Sequence, residues 1–152
     1  MSLRVLLAVL LAGALVAASL PAIEAAQRTH AEDDLDTTAR ELETAVERLQ
    51  THSDPVPFGV PGARRSVRVD VPERGPNARL RLVPAGANTR LQVAVGESAP
   101  SVTVLNATVR PLAGPETVAW NDTLAVRETT ELWLRYRQVE GRSVVTVARG
   151  FK

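Results

Sequence analysis

Cysteine is absent from the 152-residue chain. That excludes a disulfide framework, a thiol nucleophile and any thiolate-bound zinc or iron–sulfur centre. Aromatic residues make up only 3% of the sequence, so a 45% hydrophobic content must be carried by Val, Leu and Ala. Two histidines leave little for acid–base or metal chemistry. Lys152 is the only lysine among 18 basic residues, so cationic chemistry here means guanidinium chemistry. No Gly-x-Ser-x-Gly elbow and no phosphate-binding glycine motif is present. The length suits one domain with an appendage.

Val5 to Ile23 is a run of 19 residues without a charge. As a helix it spans about 28 Å, close to the roughly 30 Å hydrocarbon core of a bilayer. Arg4 precedes the run and Glu24 follows it. The positive-inside tendency then leaves the N-terminus cytoplasmic and everything after Glu24 outside, with membrane lipid as the partner of Val5–Ile23. A cleaved secretory signal is the alternative, because Ala17-Ala18-Ser19 suits a signal peptidase; the protein is then secreted. The apolar run nevertheless continues to Ile23 with no polar cleavage region. Pro21 is expected to kink the helix or to open a new one.

Residues 24–52 read as an amphipathic stalk helix. Leu35, Ala39, Leu42, Val46 and Leu49 recur at spacings of four, three, four and three, a seam of heptad type. Two heptads are few for a coiled coil, so the seam is expected to pack on the chain's own head; self-association with another chain stays open. A helix of this length not docked on the head would reach on the order of 40 Å. Pro55, Pro57, Gly59, Pro61 and Gly62 make residues 53–64 a linker.

From residue 65 to 152 the period changes to two, as in Val67, Val69 and Val71, or Leu132, Leu134 and Tyr136. Turn signals separate the runs, among them Pro72 to Pro76, Pro84-Ala85-Gly86 and Glu140-Gly141. Six or seven short strands predict an antiparallel sheet or small β-sandwich head. The fold class is therefore α+β: an N-terminal transmembrane helix (1–23), its amphipathic continuation (24–52), the linker and the head. Ser101 to Val109 changes phase near Leu105, which predicts a bulge or a strand buried on both sides.

The formal charge of +1 is uninformative until it is divided. Residues 24–52 hold eight acids and three arginines, net −5, and residues 53–152 hold nine acids and fourteen bases, net +5, with Arg4 supplying the remainder. An acidic stalk thus carries a basic head. Arg79, Arg81, Arg135 and Arg137 alternate with core residues and form a candidate basic face for anionic polymer or lipid headgroups, or a merely solvated one. Stacking aromatics are not interleaved with them, so no nucleic-acid partner is expected. His30, Glu32, Asp33, Asp34 and Asp36 match no known cation loop, and the consecutive His52-Ser53-Asp54 does not converge as a triad. No catalytic, cofactor-binding or metal-binding residue is assigned. Asn106-Ala107-Thr108 and Asn121-Asp122-Thr123 are N-glycosylation sequons. Asn121 is expected in a loop, and Asn106 within a strand where it is covered.

The order of parts, an apolar helix with Pro21 near its end, an amphipathic continuation and a β-rich head, resembles pilins and pseudopilins. The processing leader and the early glutamate of that class are absent. Leu3 to Ala26, Pro61-Gly62-Ala63-Arg64-Arg65 and Gly141 to Val147 are similar to small haloarchaeal membrane-anchored proteins associated with type IV pilus or secretion gene clusters. The resemblance implies a non-enzymatic accessory subunit that contacts other envelope or pilus proteins, and supplies no site residues.

Overall fold

A computed structural model of the chain describes residues 3–72 and 77–150, without the side chains of Arg4 and Leu6. The turn expected at Pro72 to Pro76 therefore falls largely outside the described residues. One helix, α1 (Leu3–His52), is followed by nine strands. They are β1 (Arg64–Val69), β2 (Ala78–Ala85), β3 (Asn88–Val95), β4 (Ser101–Leu105) and β5 (Val109–Gly114), then β6 (Thr117–Val118), β7 (Leu124–Val126), β8 (Thr130–Val139) and β9 (Arg142–Arg149). They form a five-stranded sheet in the order β1-β8-β9-β5-β6 and a four-stranded sheet in the order β4-β3-β2-β7. The architecture is α+β, with nine strands where the turn signals suggest six or seven and one parallel pairing among the named strands, β5 with β9.

α1 runs through Pro21 without a break. Proline lacks the N–H that would bond the Ala17 carbonyl, a loss of one bond in a 50-residue helix. The two ends of α1 live in different surroundings. Its most apolar 18-residue window has a mean hydropathy of 2.0 and is wholly exposed, so this part is long and apolar enough to cross a membrane. From Ala31 onward the helix enters the core of the head. Ala31, Leu35, Ala39, Leu42, Ala45, Val46 and Leu49 are buried in one cluster with Val67 and Val69 of β1, Leu91 and Val93 of β3, and Leu132 and Leu134 of β8. Two positions beyond the heptad seam, Thr38 and Ala45, widen the buried stripe, which is the shape of a helix docked on sheets rather than of a coiled-coil seam.

The seam thus contacts its own head. Leu35, Leu42 and Leu49 are each about 0–1% exposed, so they offer nothing to another chain. A boundary after residue 52 would cut through one core, and no freestanding stalk of 29 residues exists. Only residues 24–30 separate the end of the apolar run from the first core residue. At about 1.5 Å per residue, Ile23 and Ala31 lie about 12 Å apart along the axis.

The 53–64 segment is pinned as well. Val56 bridges Arg137, its N–H reaching the Tyr136 carbonyl at 3.4 Å and its carbonyl accepting from the Gln138 N–H at 3.0 Å. A Cβ at position 62 would run into the Val56 side chain, so glycine is needed there. The β8–β9 turn follows the sequence expectation: Glu140 and Gly141 both have positive φ, 51° and 76°, as a two-residue type I′ hairpin requires.

Neither a bulge nor two-sided burial explains the Ser101 to Val109 segment. The chain leaves the four-stranded sheet after Leu105 and joins the five-stranded one at Val109. Leu105, Ala107 and Val109 stay buried through the crossing while Val102 and Val104 face solvent, 51% and 56% exposed. A buried polar knot holds the crossing. The Thr89 hydroxyl donates to the Ala107 carbonyl at 3.0 Å and accepts from the Val109 N–H at 2.9 Å. Arg110 donates to that hydroxyl at 3.0 Å, to the Val109 carbonyl at 2.8 Å and to the Gly86 carbonyl at 2.6 Å. Burial lowers the Arg110 pKa from its ordinary value.

Replacing Leu42 by Ala removes a fully buried side chain at the centre of this core and is expected to cost about 2–5 kcal/mol. Denaturant unfolding of the head measures it. A chain beginning at Glu24 should fold, whereas one beginning at Ser53 should lose cooperative unfolding, because it lacks the apolar stripe that fills the core.

Candidate functional site

The outer face of the five-stranded sheet carries a groove of about 320 Å³, floored by β8 and β9, with Phe58, Arg64, Trp133, Arg135, Arg137 and Arg149 in its lining. Strand alternation puts these residues there. Leu132, Leu134 and Tyr136 of β8 face the core, so Trp133, Arg135 and Arg137 face outward. Register then adds a neighbour: Arg64 of β1 stands directly opposite Arg135, which brings two guanidinium groups onto adjacent strands of one face. Phe58 arrives from the 53–64 segment through a turn in which Gly59 takes a φ of 80°.

Arg137 is the anchor of the groove. It is only 5% exposed. Its Nη1 donates to the carbonyls of Pro57 at 2.9 Å and Val60 at 2.8 Å, and its guanidinium lies 5.5 Å from the centre of the Phe58 ring. Nε is buried and has no hydrogen-bond partner; the face of Phe58 offers partial compensation for that charge. Burial lowers the Arg137 pKa, the Arg135 charge pushes the same way, and Glu116 pulls weakly against them. A guanidinium so placed stays protonated at any physiological pH. Arg64 in turn lies over Trp133, 5.4 Å from the ring centre. Among the described residues the single salt bridge is Arg68–Asp70, so none of the four groove arginines is bonded to a carboxylate of a described residue; Arg149 donates instead to the Ala125 carbonyl.

The candidate basic face must be redrawn. Arg79 and Arg81 are exposed on β2 of the four-stranded sheet, while Arg135 and Arg137 belong to the five-stranded sheet. The four residues do not share a surface, and Arg137 is not solvated. Alternation places side chains in or out along one strand, but it does not say which strands share a sheet. Arg64, Phe58 and Trp133 were not singled out from the sequence. A usable signal was the rarity of aromatic residues, since two of the five line this groove.

The other marked residues lie apart from it. Asn121 is exposed in the segment before β7, as expected. Asn106 is exposed too, in the bend between β4 and β5 and not within a strand, because β4 ends at Leu105. His52 ends α1 in the open, its Nδ1 2.7 Å from the Thr51 hydroxyl. No three His, Asp or Glu side chains gather as a metal site among the described residues.

Arginines around two aromatic rings recognise carboxylates or other planar anions, the guanidinium supplying paired donors and the rings excluding water. A family model described as a domain of unknown function, DUF7311, matches residues 2–150. No curated protein matches the chain, and neither does any solved structure.

Arg137→Met should loosen the Pro57–Val60 turn by removing the donor to two carbonyls, at a cost of about 1–3 kcal/mol. Exposed Arg135→Ala should stay within about 0.5 kcal/mol of the parent. Thermal unfolding of the two variants checks the difference.

Proposed function

Because the chain belongs to the DUF7311 family, whose function is unknown, we propose its role from geometry: a non-enzymatic, single-pass surface protein acting as a pilin-like or accessory subunit of an envelope assembly. The N-terminus is cytoplasmic and the head lies outside, in the archaeal pilus or secretion setting that the resemblance implies. The observation that carries this reading is the divided helix. One uninterrupted α1 is an exposed apolar rod at one end and the centre of the head's core at the other. No flexible joint intervenes, so the head is coupled rigidly to the anchor and rides close to the lipid surface. A rigid arm of that kind suits a subunit whose orientation matters to its neighbours, as in pilins.

A second reading, a β-module that binds an anionic polymer or lipid headgroups, is favoured by the arginine groove. It now rests on Arg64, Arg135 and Arg137 in place of the four residues marked from the sequence.

Membrane fractionation with intact-mass measurement tests the first reading. The chain should stay with membranes at high salt and keep the residues before Leu20. A soluble product whose mass begins near Ser19 or Leu20 would overturn it.

A further inference from the structure

We propose that the groove of Arg64, Arg135 and Arg137 receives the acidic flank of α1 from a second copy of the chain, joining copies head to tail in the plane of the membrane. This rests on the single-pass reading above and specifies the partner surface within it.

The flank consists of Glu32, Asp36, Glu43 and Glu47. At 3.6 residues per turn these positions fall within an arc of about 60°. They border β4: Glu32 and Asp36 lie beside Ser98–Ser101, and Glu43 and Glu47 beside Leu105–Ala107. The Ser101 hydroxyl reaches Asp36 at 3.5 Å, a weak contact. None of the four carboxylates has a salt bridge among the described residues. The chain therefore carries four guanidinium groups on one side and four carboxylates on another, each set without a bonded counter-ion among the described residues. The flank sits beside β4, while the groove opens on the outer face of the five-stranded sheet. They cannot meet within one molecule.

Direction matches, and the Glu43–Glu47 end of the flank is the part nearest the level of the groove. α1 ends at His52, and Val56 then bonds Tyr136 and Gln138 near the far end of β8. β8 thus runs in the same sense as α1, with Trp133 toward the anchor and Arg137 away from it. Trp133 to Arg137 covers about 13 Å of strand, whereas Glu32 to Glu47 covers about 22 Å of helix, so the groove engages the Glu43–Glu47 end and not the whole flank. Copies anchored by the same apolar segment stand parallel and at one height, so Glu43 and Glu47 meet the groove by lateral approach alone. A groove of about 320 Å³ takes carboxylate side chains, with the helix lying across its mouth. Two different surfaces make a heterologous contact, which extends into rows or closes into a ring. Arg137, already held by two carbonyls, loses little freedom on binding.

The absence of native cysteine allows a direct test in the full-length, membrane-inserted chain. Gln50→Cys, beside the flank, and Ser66→Cys, on the outer face of β1, are made in separate copies carrying different tags. A short bis-maleimide should join the two copies, and a chain carrying both cysteines should give a ladder beyond the dimer. The yield should fall at least about fivefold between 50 mM and 500 mM salt. R64E with R135E should abolish the crosslink, and adding E43R with E47R to the same chain should restore it. All four positions are exposed, so thermal midpoints should be unchanged. Failure to crosslink, or crosslinking indifferent to charge reversal, would overturn the proposal. So would binding of a soluble polyuronate that R64E with R135E abolishes while crosslinking stays constant; the groove would then belong to a polymer. A third cysteine at Gly13, within the apolar segment, separates the levels. If Gly13→Cys copies crosslink and the Gln50–Ser66 pair does not, the assembly reading stands and only this interface falls. If neither crosslinks while the chain stays in the membrane at full mass, this interface falls alone; a soluble product beginning near Ser19 or Leu20 overturns both.

Discussion

The burial of the second half of α1 between the two sheets is the interaction on which the rest of this structure depends. β1 and β8 on one side and β3 on the other need apolar surface to cover their inner faces, and Leu35, Leu42 and Leu49 supply it. Each such side chain contributes roughly 1.5–3 kcal/mol when taken fully out of water. With almost no aromatic volume available, two sheets facing each other across Val and Leu alone would leave the flank near β1 and β4 uncovered. The helix fills that gap. It also continues without a break from the exposed apolar segment, so the head and that segment share one helix.

That arrangement has an electrostatic consequence. The apolar stripe of α1 faces inward, so its acids are confined to the exposed side. Those bordering β4 form a line of carboxylates beside a strand whose outward residues are valines. On β8 the same logic of alternation turns Arg135 and Arg137 away from the core, and the returning 53–64 segment lays Phe58 against Arg137. Opposite charges are held apart by the body of the head. A near-neutral total therefore coexists with two strongly polarised sides.

The buried arginines show how expensive groups are accommodated. Arg110 spends its donors on the Thr89 hydroxyl and two carbonyls at the point where the chain changes sheets. Arg137 does the same for the turn that closes the groove. Each leaves its Nε without a partner, a cost that the two anchored segments offset through the backbone bonds they secure. Neither residue could be recognised from alternation, which treats every outward arginine as solvated.

The local features were legible because they depend on neighbours in the chain. Nineteen uncharged residues mark a helical segment long and apolar enough to cross a membrane, a four-three repeat marks a buried helical stripe, and Glu140-Gly141 marks a tight hairpin. Charge division by segment was equally readable, since it needs only positions. Tertiary structure alone decided what each surface meets. The stripe of α1 lies in its own head; Arg64 stands across from Arg135; Arg79 and Arg81 belong to a different sheet; and the break near Leu105 is a crossing between sheets. These outcomes turn on strand order and register. They are set by the collective fit of distant segments around one core, and no residue's immediate neighbours in the sequence encode them.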